Sequence, residues 1–217
     1  MNDKDKLMSL FKRRYACKKF LTDRRVSDDD LLQILQAGRL APSSFGMEPW
    51  KFLVVEKEEV LKSLYPYAWG AHNSLNADTR MVILLTKTTM DDQYVKHIMQ
   101  DVQGLSDDAT TPRIARLEKF QKDDFDLLRN ERNLVDWTGK QAYIALAHMM
   151  IMAASMDIDS CPIEGFVKDK VDEVLASHQL IDPKEYKVAV MVSFGYRDEP
   201  IKPKKRRAIS EVVEWIK

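Results

Sequence analysis

The 217-residue chain carries 34 Lys+Arg against 34 Asp+Glu, a net charge of zero, with 45% hydrophobic and 31% charged residues. That is the profile of a globular chain long enough to bury a substantial core, and it lacks the basic excess of a general nucleic-acid binder. Its 7 glycines are about half the ~7% share of an average chain, and no two stand as G-x-G. Neither the dinucleotide fingerprint G-x-G-x-x-G nor the phosphate loop G-x-x-x-x-G-K-[ST] is present, so any bound phosphate must be held by side chains or other backbone geometry. Leu7, Leu10 and Phe11 fall at helical spacing and predict a short helix over 4–13. Ser27 followed by Asp28, Asp29 and Asp30 reads as an N-cap, and Leu31, Ile34 and Leu35 line one face of a helix ending near Gly38. A turn-rich loop, Ala41–Gly46, leads into the apolar run at 50–56, and Glu58–Leu64 predicts a helix stopped before Pro66.

Residues 81–86 and 186–195 predict two further strands, the latter rich in valine. Thr111-Pro112 has the cap-then-proline order of a helix start. A strong helical pattern over about 136–156 is apolar nearly all round, which predicts a central buried helix. Its uncharged stretch, Gln141 to Met156, falls short of the ~20 apolar residues of a membrane span. Few strands separated by long helical stretches predict an α+β fold in one domain covering 1–217. Cys17 and Cys161 make neither a disulfide framework nor C-x-x-C, and the N-terminus lacks a secretory apolar core, so a cytoplasmic, reduced protein is expected, with no membrane and no nucleic-acid partner.

Three segments are candidates for chemistry. The segment Arg13–Phe20 holds four cations, all within the seven residues Arg13–Lys19, and Pro203–Arg207 holds four more near the C-terminus. Such clusters suit a phosphate, with Arg as a planar fork and Lys as a point charge, but each alone also reads as a solvated basic face. Cys161–Phe166 carries Pro162 and Gly165 and reads as a stiff turned loop with outward N–H groups, or as a plain connection bearing an exposed Glu164. Histidines 72, 97, 148 and 178 lack zinc-site spacing, and His148 reads as a core histidine. Ser43-Ser44 lacks a hydrolase elbow, and Met149, Met150, Met152 and Met156 read as core filling.

Taken in order, these pieces resemble the nitroreductase family of FMN-dependent NAD(P)H oxidoreductases. Arg14–Phe20 is similar to its R-x-S-x-R/K-x-F motif, Pro42–Phe52 to P-S-S-x-N-x-Q-P-W-x-F, and Pro203–Arg206 to P-K-x-R. Between them, Trp137, Lys140, Gln141 and Tyr143 lead through a long helix to Pro162–Phe166. The resemblance covers nearly the whole chain. It implies an α+β fold with a central mixed or antiparallel sheet flanked by helices, in an interlocked homodimer with two FMN sites at the subunit interface. Residues from about 197 to 217 would be an extension packing on the partner subunit.

By the same resemblance, Arg14, Tyr15, Ala16 and Lys18 reach the flavin, and Lys204 and Arg206 complete the grip on phosphate and ring edge. Pro42, Ser43, Ser44 and Gly46 would come from the partner subunit, and Asn73 would stand at the family's asparagine contact. Pro162, Ile163, Glu164 and Gly165 would lie along the isoalloxazine, with the Glu164 backbone N–H at N5. The implied reaction is a ping-pong transfer of hydride from NAD(P)H through flavin N5 to a nitroaromatic or quinone, with no side chain as acid or base. Phe120 or Phe125 would stack on acceptors, or simply pack a helix face. Ala16, Gly46 and Glu48 stand where the family has Ser, Asn and Gln. The alternatives are a flavin or dihydropteridine-type reductase of the same fold and, in another class, a non-catalytic module binding an anionic partner.

Overall fold

The computed structural model describes residues 2–76, 78–201 and 203–217. Its centre is an antiparallel sheet of β1 (Trp50–Val55), β2 (Arg80–Lys87), β3 (Asp159–Ile163) and β4 (Tyr186–Gly195), in the spatial order β1-β2-β4-β3. Around it lie α1 (Asp3–Arg13), α2 (Asp28–Arg39), α3 (Glu58–Leu64), α4 (Asp92–Lys96), α5 (Asp107–Lys119), α6 (Glu131–Ser155) and α7 (Lys168–Ser177). The α+β class expected from the sequence is therefore present, with the antiparallel form of the sheet.

Strand β2 is buried along its whole length, and the two-residue period of a strand divides its side chains between two cores. Met81, Ile83 and Leu85 join Val60, Leu61 and Leu64 of α3 and Val171 and Leu175 of α7. Val82 and Leu84 join Leu31 and Ile34 of α2 and Ala142, Ala145, Leu146 and Met149 of α6. The pairing slips between Leu84 and Leu85, leaving Ala189 as an extra residue in β4. The slip lets Val188 face one core and Val190 the other. A third cluster of Met47, Val95, Ile98, Met99 and Leu117 forms a separate lobe in which α4 and α5 pack on the loop before β1.

Several elements differ from the sequence expectation. Segment 161–166 is not simply a loop, because its first half is the edge strand β3. Ser160 accepts the Cys17 N–H on the open side of that strand at 3.0 Å. Backbone groups alternate sides, so Pro162 also faces outward, where its missing N–H removes no ladder bond. Helix α5 starts at Asp107 rather than at Thr111, because Ser106 caps it and accepts the Ala109 N–H at 3.4 Å. Pro112 thus sits inside the helix. Helix α6 starts earlier than expected, capped by Asn130. Helix α2 ends at Arg39, near Gly38 as expected, and Gly38 has a packing task besides: a Cβ there would stand 2.2 Å from Met149 Cε, so glycine lets α2 and α6 approach. Nor is α6 buried all round, since Tyr143, Ile144, Ala147 and His148 are exposed. His148 is accordingly no core histidine; its Nδ1 lies 2.9 Å from the Ile144 carbonyl. Among the described residues no helix is long and apolar enough to cross a membrane.

Candidate functional site

Two adjacent arginines at the end of α1 have different fates. Arg13 reaches the C-terminus of α6, donating to the Ala154 carbonyl at 3.3 Å and pairing with Asp157 at 3.2 Å. It neutralises the negative end of that helix, a structural task. Arg14 is half-buried and makes no ion pair among the described residues. Burial and the charge of Arg206 hold its guanidinium below the ordinary arginine value. Burial, then Arg14 and Arg206, likewise lower the Lys204 ammonium, which donates to the Phe11 carbonyl. Three cations from opposite ends of the chain thus repel one another in one place. Two guanidinium forks and an ammonium are the donor set of a phosphate group, and an arriving anion would relieve the repulsion.

The chain after Arg14 runs along the open edge of β3. Ala16 bridges Ser160 in parallel, and Phe20 bridges Arg197. The Lys18 N–H donates to Glu199 Oε1 at 2.7 Å, and Lys18 Nζ lies 3.1 Å from Cys161 Sγ. Tyr15 sits at the same carboxylate, and burial raises its phenol above the ordinary value. Cys17 has no solvent exposure, and burial pushes its thiol up to about 11, so it is an inert core residue.

Past β3, Glu164 and Gly165 hold two separate contacts. Tyr143 of α6 donates its hydroxyl to the Glu164 carboxylate, which, after burial, helps keep that phenol protonated. Gly165 accepts the Gly70 N–H at 2.7 Å, and a Cβ on Gly165 would stand 2.8 Å from Gly70 Cα. Glycine is required on both sides of that contact. The Val167 N–H donates to the Tyr67 carbonyl at 2.8 Å. Segment 164–167 is thereby strapped to the 67–71 turn, after which Asn73 is exposed. Pro162, Ile163, Glu164 and Gly165 thus lie on one strand end, beside the Ala16–Lys18 segment.

The loop after Pro42 belongs elsewhere. Phe45, Gly46 and Glu48 have φ of 56°, 64° and 47°, the left-handed region that costs a non-glycine residue about 1 kcal/mol or more. Surroundings hold this shape. Ser44 N–H donates to Gln141 Oε1 at 2.9 Å, Glu48 N–H to Ser43 Oγ at 2.9 Å, and Gln103 Nε2 to the Gly46 carbonyl at 3.1 Å. The φ at Gly46 explains how glycine stands where the resemblance has asparagine, since both residue types accept it. Phe45 packs on Phe120 with ring centroids 5.0 Å apart, and Phe120 on Phe125 at 4.4 Å. Phe125 is 55% exposed and Phe120 only partly so.

The expected residues therefore form two groups: one of 14–18, 162–165, 204 and 206, the other of 42–46 with Phe120 and Phe125. Helix α6 lies between them. Gln141 holds the second group and Tyr143 the first, and two residues apart on an α-helix means about 200° around its axis. Within one chain the two groups lie on opposite sides of that helix.

The nitroreductase family pattern, described as "Nitroreductase family", matches residues 11–196. This chain belongs to the nitroreductase family. It is 44% identical over 213 residues to a Staphylococcus haemolyticus protein provisionally named NAD(P)H nitroreductase, covering 97% of each chain. It is 40% identical over 217 residues to a Bacillus subtilis protein with the same provisional name, covering 98% of each. Its fold is similar to that of a nitroreductase family protein of Streptococcus pneumoniae, with TM-score 0.78, 24% identity and coverage of 96% of this chain and 99% of that one. A provisionally named nitroreductase of Exiguobacterium sibiricum, solved in complex with FMN, gives TM-score 0.78 at 22% identity over 97% of each chain.

Within this family member, the sequence left Gln141 and Tyr143 as motif residues without a task, and the structure gives both one. Gln103 carries no sequence signal, because an isolated glutamine reaching a loop 57 residues away is set by tertiary packing alone.

Proposed function

We propose that this chain is an NAD(P)H-dependent FMN oxidoreductase that reduces nitroaromatic or quinone acceptors as a homodimer. The observation that carries the reading is the cluster of Arg14, Lys204 and Arg206, cations without a carboxylate partner among the described residues, from which the 14–18 segment runs along β3 toward 162–165. Bound FMN would supply the two-electron chemistry, accepting hydride from NAD(P)H and passing it to the acceptor in a ping-pong cycle.

The chain's own residues do the holding. Arg14, Lys204 and Arg206 grip the phosphate. Lys18 offers a cation held 3.1 Å from Cys161 Sγ, beside the strand that presents Pro162, Ile163 and the Glu164 N–H. Tyr143 fixes the Glu164 side chain, and the Gly70–Gly165 contact fixes the backbone next to it. A rigid backbone donor orients a ring edge with no reorganisation during reaction.

The position of the two residue groups on opposite sides of α6 supports a site completed by a second copy, whose Pro42, Ser43, Ser44 and Gly46 would meet the first group. The exposed apolar residues Ile209, Val212, Val213, Trp215 and Ile216 support a C-terminal extension, from about 197, that packs on that partner. So do Leu7, Met8 and Phe11 on α1, all exposed. The test is the visible spectrum of the purified protein. A yellow protein bleached anaerobically by NADPH or NADH, releasing FMN, is expected; a colourless protein that FMN does not reconstitute contradicts the reading.

A further inference from the structure

The lobe beside the 42–48 loop contains a cavity of about 440 Å³ lined by Ser44, Phe45, Met99, Arg113 and Arg116. Phe45 and the buried Met99 make one wall apolar, and Phe45 in turn packs on Phe120. Arg113 and Arg116 are one helical turn apart on α5, so both guanidinium groups project from one face.

The cations that follow, at the end of α5 and in the turn after it, are neutralised. Lys119 pairs with Asp124 at 2.9 Å, and Lys122 with Glu118 at 3.9 Å. Arg113 and Arg116 have no such carboxylate among the described residues, although both stand at a cavity mouth. An apolar wall with two arginine forks at its rim matches a flat ring that carries an anionic group, with the ring on Phe45 and Met99 and the anion on the forks.

We infer that Arg113 and Arg116 select co-substrates bearing an anionic group, a carboxylate on the acceptor or the 2′-phosphate of the nicotinamide coenzyme. This inference rests on the proposed function for the identity of the co-substrates, but the anion site itself stands on the cavity and its two arginines. It assigns a specificity role to α5, a helix that the motifs of the sequence do not reach.

The test is calorimetric binding to the purified protein of two matched pairs, 4-nitrobenzoate with 4-nitrobenzyl alcohol and NADP⁺ with NAD⁺. The wild-type protein and the double variant Arg113→Gln/Arg116→Gln are compared, with flavin content read from the visible spectrum. In at least one pair, the wild type is expected to bind the more anionic member about tenfold tighter, and the double variant to bind both within about twofold. Loss confined to the nitrobenzoate pair places the anion on the acceptor, and loss confined to the coenzyme pair places it on the coenzyme. Equal binding within both pairs by the wild type, or an equal loss for both members in the variant, overturns the inference. A colourless protein that FMN does not reconstitute but that keeps the anion preference retains this site and sinks the proposed function instead.

Discussion

Two arginines shielded from solvent in this chain, Arg80 and Arg14, stand in charge clusters that do opposite things. Arg80 is 4% exposed and donates to Asp28, to Glu56 and to the Val26 carbonyl, tying the start of α2 to the edge of the sheet. Among the described residues, the charges that Arg14 meets are other cations, Lys204 and Arg206. In the first cluster each charge already has its counter-charge, so nothing further is needed and the cluster is structure. In the second the counter-charge must arrive from outside. A satisfied charge holds a fold together; an unsatisfied one, kept in place at an energetic cost, is what a binding site for an anion consists of.

The largest effect separating the two should be on stability. Arg80→Ala removes the shared partner of two carboxylates and should cost ~3 kcal/mol, lowering Tm by about 6–12 °C in thermal denaturation. The carboxylates reach solvent, which keeps the loss at the low end of the range for buried pairs. Arg14→Gln combined with Lys204→Gln should do the reverse, leaving the Tm of the flavin-free protein unchanged or higher. A fall comparable to that of Arg80→Ala would erase the distinction.

A smaller effect comes from inorganic phosphate. Added to the flavin-free protein it should raise Tm, because an anion that binds only the folded state stabilises it by mass action. At about tenfold over its dissociation constant the gain is ~1.4 kcal/mol. The Arg14→Gln/Lys204→Gln variant should show no such gain, whereas Arg80→Ala should show the full one.

The smallest effect is in alkaline solution. The folded-state Lys204 value lies below the ordinary 10.5, so between the two the unfolded chain binds more protons and stability rises with pH. The repulsion is fully present at neutral pH and fades as pH passes through the folded value. The stability difference between Lys204→Gln and the wild type should therefore shrink as pH climbs toward 10.5, as followed by urea denaturation. A difference that grows with pH would mean that Lys204 is a satisfied charge like Arg80.

The same contrast shows what the sequence could convey. Local chemistry was legible: Ser27 caps α2 as its position before three aspartates predicts, and the apolar runs at 50–56, 81–86 and 186–195 are strands. Strand β3 was not, because Asp159, Ser160 and Pro162 are poor strand formers that here depend on partners far away in sequence. Asp159 is matched by Arg197 at 3.0 Å, and Pro162 turns its missing donor to the open edge. The cationic motifs at 13–20 and 203–207 were visible, but nothing local distinguishes Arg13, which ties down α6, from Arg14, which meets Arg206. Arg113 and Arg116 belonged to no motif, and only packing places them at a cavity.

The central claim is that the Arg14, Lys204 and Arg206 cluster is a phosphate grip. It is tested most directly by the ratio of affinities for FMN and riboflavin, which differ by the phosphate alone. Fluorescence titration of the flavin-free wild type should show FMN bound about 100-fold tighter, as expected when two charge-assisted bonds of ~1.5 kcal/mol each reach the phosphate. In Arg14→Gln/Lys204→Gln the ratio should fall to near one through weaker FMN binding, with riboflavin affinity unchanged. Equal affinities in the wild type, or a ratio that survives the double substitution, would contradict the account.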